Sequence, residues 1–437
     1  MAQLTAKADQ IVFKRDGVTE KFEGDPLSVF QELLDSRPCV RVSGLPPFVG
    51  GAVGFLGFDV YRYIEPFSFQ AQDDLKLPDL HFSFFDEAVV VDHLTDKLWI
   101  IVLAQPTGNP DRAYIQALAR IEALFCRVTR SPEHFGTKRF NLQSTICNLQ
   151  FQSTHTRATF EAMVRKAKGF IADGEIYQAN LSQRFTLPLT EEPWDLYRRL
   201  MEINPSPFSA YADFGDFQLV CASPERFLRV RDHVVETRPI AGTRPKGRSA
   251  VETARLRQEL IFNEKERAEH LMLVDLERND LGKVCRYGSV RVDELMMLEE
   301  YSHVIHIVSN VRGVLRPEVR PVDLIAAAFP GGTITGCPKI RCIQIIDSLE
   351  PVRRGLYTGS LGYVSYSGEM DLNLLIRTAC VVGDSVYLQT GAGIVADSDP
   401  GKEFEETLHK AEALLQALSG STATHELATA STASSAF

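Results

Sequence analysis

The chain reads as an α+β protein built mainly on antiparallel sheets. Three observations predict this. Strand-like and helical runs are interleaved along the sequence. Several strand pairs are joined by short polar turns, and no regular repeat is visible. The 437 residues suffice for a large core and two or three structural units.

Residues 1–105 read as β-rich, with strand runs at 11–13, 87–93 and 98–103. Gly50-Gly51-Ala52-Val53-Gly54-Phe55-Leu56-Gly57-Phe58 alternates glycine with apolar residues, predicting a strand that lies closely against a neighbour. Helical spacing follows over 111–127, and polar, weakly patterned residues 128–155 read as a linker. Beyond it, 160–173 predicts a helix, and 178–187 and 208–220 predict strands. A hairpin of 227–230 with 234–237 turns around Arg231-Asp232. Residues 251–276 predict one long helix, and 357–389 a three-strand meander with turns at Ser367-Gly368 and Gly383-Asp384. Residues 419–437, rich in Ser, Thr and Ala, predict a disordered tail.

The net charge of −10 gives no support for nucleic-acid or anionic-membrane binding. The eight cysteines are scattered, without a CxxC pair, as expected of reduced thiols in a cytoplasmic protein. The start of the chain lacks a signal pattern, and no apolar run approaches the roughly 20 residues that span a bilayer.

Phe329 to Lys339 is a glycine-rich turn leading into a helix, with Pro338 suited to the first helical position. It is not a P-loop, because Gly336 is followed by Cys337-Pro338 and Lys339 comes too late. It is either a tight turn or an anion-facing set of backbone N–H groups. Gly391-Ala392-Gly393 is equally open between a strand bend and a carboxylate cradle. In the last helix Phe404, Leu408, Ala411, Leu415 and Leu418 share one face, and Glu403, Glu406 and Lys410 share another. Glu266 and Glu269 stand three apart in an earlier helix. Each acidic set is a solvated face with ion pairs, or, if the helices face each other, an oxygen-rich site for Mg²⁺. His306 falls on one side of a strand with Val304 and Val308, a structural histidine on that evidence alone. Arg377 sits in an apolar run read as strand and needs an anionic partner, from the protein or from a ligand.

Together these segments resemble the chorismate-utilising enzymes: the large subunits of anthranilate synthase and aminodeoxychorismate synthase, and the isochorismate and salicylate synthases. The resemblance rests on Gly174-Glu175-Ile176-Tyr177-Gln178, Pro239-Ile240-Ala241-Gly242-Thr243-Arg244, the run from Arg267 to Leu276, the Phe329–Lys339 turn, Ile376-Arg377-Thr378 and the run from Gly391 to Ser398. It covers nearly all of a catalytic domain at 156–418 and more loosely an N-terminal region at 1–145. It implies a large two-layer antiparallel β-sandwich with flanking helices, the N-terminal segment contributing to both layers. It further implies Mg²⁺ held by Glu269 and Glu406, and substrate bound by Ala241, Gly242, Thr243, Tyr357, Arg377, Gly391 and Gly393. His306 would face the C4 hydroxyl as a general acid, with Thr333 and Lys410 beside it.

Within the family, Asn180, the stretch from Pro205 to Tyr211, the Gly331-Gly332-Thr333 loop and Ser360-Leu361-Gly362-Tyr363 resemble aminodeoxychorismate synthases. Ala241 resembles anthranilate synthases, because some aminodeoxychorismate synthases carry a nucleophilic lysine there. Gln178 disfavours the water-using branches, which resemble a lysine at that position. Leu33-Leu34-Asp35-Ser36 only partly resembles the motif of tryptophan-sensitive relatives. No Gly-x-Cys-x-Gly turn marks a glutamine amidotransferase, so ammonia is expected from solution or from a separate amidotransferase subunit. The expected reaction converts chorismate and ammonia to 4-amino-4-deoxychorismate. Anthranilate formation is the alternative, and a non-catalytic chorismate-binding protein is the alternative of another class.

Overall fold

The computed structural model describes residues 2–37, 39–106, 108–130, 151–247, 249–300 and 304–419. Two antiparallel sheets form its layers. The larger has twelve strands, in the order Ile240–Pro245, Val304–Val314, Val234–Thr237, Arg226–Arg231, Met370–Asn373, Ser360–Ser365, Gly51–Leu56, Leu80–Phe85, Ala2–Lys7, Gln10–Arg15 and Val18–Glu23. Strand Arg291–Glu300 also pairs with Val304–Val314. The smaller, seven-stranded sheet runs Phe208–Asp213, Gln218–Ser223, Thr378–Val382, Ser385–Ile394, Gln178–Pro188 and Gly336–Cys337, with Gln152–Ser153 added to Gln178–Pro188.

Alternation along the strands separates the cores. Phe55 and Leu361 of the large sheet meet Leu219, Cys221 and Cys380 of the small one between the layers. Helices Pro26–Asp35, Glu264–Gly282 and Pro321–Ala328 cover the outer face of the large sheet. Helices Arg157–Ala172, Pro193–Ile203 and Pro400–Ser419 cover that of the small sheet. Each fully buried Phe or Leu contributes about 1.5–3 kcal/mol. The glycine alternation has the expected cause: a Cβ on Gly54 would stand 1.9 Å from the His81 carbonyl oxygen. The two-layer sandwich with flanking helices is therefore present.

Several local expectations need correction. Residues 251–276 form two helices, Ala250–Phe262 and Glu264–Gly282. Asn263 divides them because its side chain accepts from the Glu266 N–H and caps the second. The region 357–389 holds four strands, Ser360–Ser365, Met370–Asn373, Thr378–Val382 and the start of Ser385–Ile394, with both expected turns. The first two lie in the large sheet and the last two in the small one, so the chain changes layers over residues 374–377. Arg377 consequently lies in this crossover, at φ +49°, and not within a strand. Pro338 caps helix Lys339–Leu349 from outside, and is not its first residue.

The N-terminal strands do not enter both layers. Five join the large sheet, while Glu87–Asp92 and Lys97–Val102 form a separate two-stranded sheet. Gly51–Leu56 pairs with Ser360–Ser365, so one sheet continues across the expected 145/156 division. Of the expected linker 128–155, Pro110–Thr129 is helix to its end and Gln152–Ser153 is strand; 131–150 lie outside the described residues. Of the expected tail, Ser419 ends the last helix and 420–437 lie outside the described residues. The seven described cysteines are free thiols. Among the described residues no helix is long and apolar enough to cross a membrane.

Candidate active site

The candidate residues converge where the two layers meet. Ile240–Pro245 and Val304–Val314 pair with a shift between Ala241 and Thr243. Gly242 fills this bulge at φ +73°, and a Cβ there would stand 2.7 Å from Glu266 Oε2. Glycine is favoured by this left-handed conformation. Thr243 lies opposite His306 in the register; its side chain is outside those described. His306 is 2% exposed. Burial, then the Arg377 charge, lowers its pKa to about 4, against a hydrogen bond to the Gly242 backbone that raises it. Its imidazole is therefore neutral at physiological pH.

Arg377 enters from the interlayer crossover. Among the described residues its guanidinium makes no ion pair; burial lowers its pKa and the Glu225 charge opposes this. An arginine placed so is suited to an incoming carboxylate.

The opposite wall is the strand pair Ser385–Ile394 and Gln178–Pro188, which sets Gly391 against Ser182 and Gly393 against Asn180. Side chains fill the space beside these glycines. A Cβ on Gly391 would meet the Tyr357 hydroxyl at 2.8 Å and Asn180 Nδ2 at 3.1 Å. One on Gly393 would meet Gln178 Nε2 at 2.7 Å. Asn180 Nδ2 and Gln178 Oε1 are buried without hydrogen-bond partners. Burial raises the Tyr357 pKa, so the phenol keeps its proton. Lys410 donates to the Gly391 carbonyl at 2.9 Å and pairs with Glu406 at 2.8 Å. This fixes the strand to helix Pro400–Ser419.

The acids come from one helix of each layer. Burial raises the Glu269 carboxyl to about 7; Lys265 opposes this, and Glu266, Glu403 and Glu406 add to it by repulsion. Glu403 is also raised, by burial and by Glu406. Glu269 Oε1 is buried without a hydrogen bond. A half-buried acid repelled by acids of a second helix, with one oxygen held only by a 3.8 Å ion pair to Lys265, fits a hard divalent cation. Among the described residues no three metal-ligating side chains meet at binding distance. Glu269 and Glu406 would thus leave most positions of an ion to water or substrate oxygens.

In the Gly331–Lys339 segment one backbone N–H already has a protein partner. Gly332 N–H donates to Glu277 Oε1 at 3.2 Å, and Lys339 Nζ binds Asp280 and the Ala328 carbonyl, each at 2.6 Å. Thr333, in the turn Gly332–Ile334, has a buried hydroxyl outside ordinary hydrogen-bond geometry. It still lies near enough to Glu225 to lower that carboxyl's pKa.

Glu225 itself escaped the reading of the sequence. It is 5% exposed and accepts from Ile240 N–H at 3.4 Å. Burial raises its pKa to about 7; Thr333, the Ile240 N–H and Arg377 pull it down, and Glu277 pushes it up. A lone Pro-Glu pair before a strand carries no helical or metal-ligand spacing, so only its burial marks it. A hollow of about 940 Å³ between residues 39–49 and the two-stranded sheet contains none of these residues. A smaller one, about 30 Å³, borders the site through Tyr357 and Thr378.

Residues 2–416 match the family described as chorismate binding enzyme. The chain belongs to this family. It is 45% identical over 410 residues to aminodeoxychorismate synthase component 1 of Bacillus subtilis, covering 94% of this chain and 84% of that one. It is 42% identical over 420 residues to anthranilate synthase component 1 of Acetivibrio thermocellus, with the same coverage. Anthranilate synthase component I from Streptococcus pneumoniae superposes with a TM-score of 0.82 at 34% identity, over 95% of this chain and 90% of that one. As a chorismate-binding enzyme, this chain carries its candidate residues from both sheets and from one helix of each layer.

Proposed function

We propose that the chain is component I of an aminodeoxychorismate synthase, converting chorismate and ammonia to 4-amino-4-deoxychorismate for para-aminobenzoate and folate synthesis. The observation that carries this reading is Asn180. This residue, which resembles the aminodeoxychorismate branch, places a buried amide beside Gly391 and within hydrogen-bonding reach of Tyr357. The 45% identity to the Bacillus subtilis aminodeoxychorismate synthase component 1 supports it.

Arg377, Tyr357 and the Gly391–Gly393 backbone bind the two carboxylates of the dianion. A Mg²⁺ ion held by Glu269 and Glu406 would neutralise ring-carboxylate charge and withdraw electrons from the diene. Ammonia forms a bond to C2 while the C4 hydroxyl leaves as water. His306, neutral at pH 7, orients that hydroxyl. Glu225, raised to about 7, is the better proton donor to it. A second ammonia entering at C4 then displaces the C2 amine.

Ala241 favours a second reading, anthranilate formation with loss of pyruvate. Lys246 does not replace the missing lysine: it is exposed and lies 3.8 Å from Glu300. Chorismate incubated with Mg²⁺ and ammonium should yield aminodeoxychorismate, and the quenched protein should show only its unmodified mass. Anthranilate with stoichiometric pyruvate as the main product would replace this reading with the second. In Ala241→Lys, a covalent substrate adduct is expected to become detectable.

Ammonia is supplied by a separate glutamine amidotransferase subunit in this proposal. Ammonium salts should support turnover that rises with pH, because free ammonia is the nucleophile. Glutamine should support it only after an amidotransferase is added. Glutamine use by the purified chain alone would contradict the separate subunit.

A further inference from the structure

Behind Glu225 stands a second buried carboxyl that the proposed reaction does not use. Glu277 lies on helix Glu264–Gly282, eight residues beyond Glu269, and is 3% exposed. It accepts from the Gly332 N–H at 3.2 Å. A Cβ on Gly332 would stand 2.5 Å from Leu276 Cδ2 and 3.2 Å from Glu277 Oε1, so the turn rests directly on the helix. The next residue of that turn is Thr333, whose hydroxyl lies toward Glu225. One dipeptide, Gly332-Thr333, therefore has a buried acid on each side. One acid belongs to the helix and the other precedes strand Arg226–Arg231.

We propose that Glu277 is a positioning residue of this site: it anchors the Gly332-Thr333 turn and keeps the donatable proton on Glu225. The inference rests on the reading of Glu225 as proton donor. A charge on Glu277 repels one on Glu225, so ionising the first disfavours ionising the second. The surrounding charges are consistent with this. Glu277 faces Asp280, which disfavours its charge, and Lys339, which favours it, while Thr237 and Gly332 donate to it. Lys339 is already committed to Asp280 at 2.6 Å. Glu225 faces Arg377 on the substrate side and Glu277 on the helix side. Both carboxyls are raised to about 7, burial being the largest cause for each. The bland alternative is that Glu277 only ties down a turn.

Glu277→Gln separates the two roles. The amide oxygen still accepts from Gly332 N–H, but the negative charge behind Glu225 is gone. Glu225 should then lose its proton at lower pH, moving the basic limb of the kcat–pH profile toward acid by roughly one unit. The loss of kcat should be about fivefold greater at pH 8 than at pH 6. A residue that only ties the turn would leave the limb in place. Glu277→Leu removes the anchor as well and should additionally raise KM for chorismate. Independently of activity, the infrared band of a protonated buried carboxyl should be present in the wild type at pH 7. The Glu225 component of that band should be lost in Glu225→Gln and weakened in Glu277→Gln, while the components of Glu269 and Asp59, also raised to about 7, remain.

Glu225→Gln keeps the two ideas distinguishable. If Glu225→Gln retains wild-type turnover, the proton-donor reading fails and this inference with it. If Glu225→Gln is inactive but Glu277→Gln leaves the basic limb and the infrared band unmoved, the inference about Glu277 alone is overturned.

Discussion

Glu269→Gln is expected to lower Mg²⁺-dependent turnover by more than roughly 100-fold, the upper cost of changes one layer outside a metal's ligands. The same should hold for Glu406→Gln. Glutamine preserves volume and removes the anionic oxygen, so the fold should survive. Thermal unfolding gives a readout that does not depend on activity. The Glu269 carboxyl is raised from 4.5 to about 7 in the folded chain. Between those values the folded state binds the extra proton, so its contribution to stability falls as pH rises through that window. At pH 8 without metal, Glu269→Gln should therefore be more stable than wild type. The side chain is 25% exposed, and the gain should be on the order of 1–3 kcal/mol. Added Mg²⁺ should raise the melting temperature of wild type but not of the variant. Near-wild-type activity of either variant at low Mg²⁺, or equal stabilisation of variant and wild type by the ion, would refute the ligand assignment.

Arg377→Lys is expected to raise KM for chorismate by roughly 10- to 100-fold, because a charge-assisted bidentate pair is lost. Lysine keeps the positive charge but cannot supply the planar fork. The variant tests the head group cleanly, since any non-glycine residue at φ +49° bears a similar backbone cost. The choice between a protein acid and a ligand carboxylate as its partner is also sharpened. Glu225 is the acid that acts on Arg377 electrostatically, yet the two form no ion pair. An unchanged KM would return Arg377 to a structural role.

Local pattern was enough for many elements of this chain. A short apolar run, Ile11-Val12-Phe13, marked strand Gln10–Arg15, and alternating apolar residues run through Gln178–Pro188. The spacing of Phe404, Leu408, Ala411 and Leu415 marked the buried face of the last helix. Both signals come from neighbours in sequence, which is why they survive without a fold. The break at Asn263 was missed because a helix cap is a single residue inside a continuous helical pattern.

The motifs by themselves determined the family and most of the candidate residues: His306, Arg377, Tyr357, Gly391, Gly393, Lys410, Glu269 and Glu406. Only the tertiary structure decided how they act together. Glu269 and Glu406 are 137 positions apart and become one electrostatic cluster because their helices belong to opposite layers of the sandwich. Arg377 reads as strand from its apolar neighbours, but the change of sheet over 374–377 turns it into the site. Glu225 and Glu277 carry no sequence signal, since an acid is informative only once it is buried. Desolvation is set by the whole fold, and it is desolvation that keeps His306 a neutral ring and raises the Glu225 carboxyl to about 7.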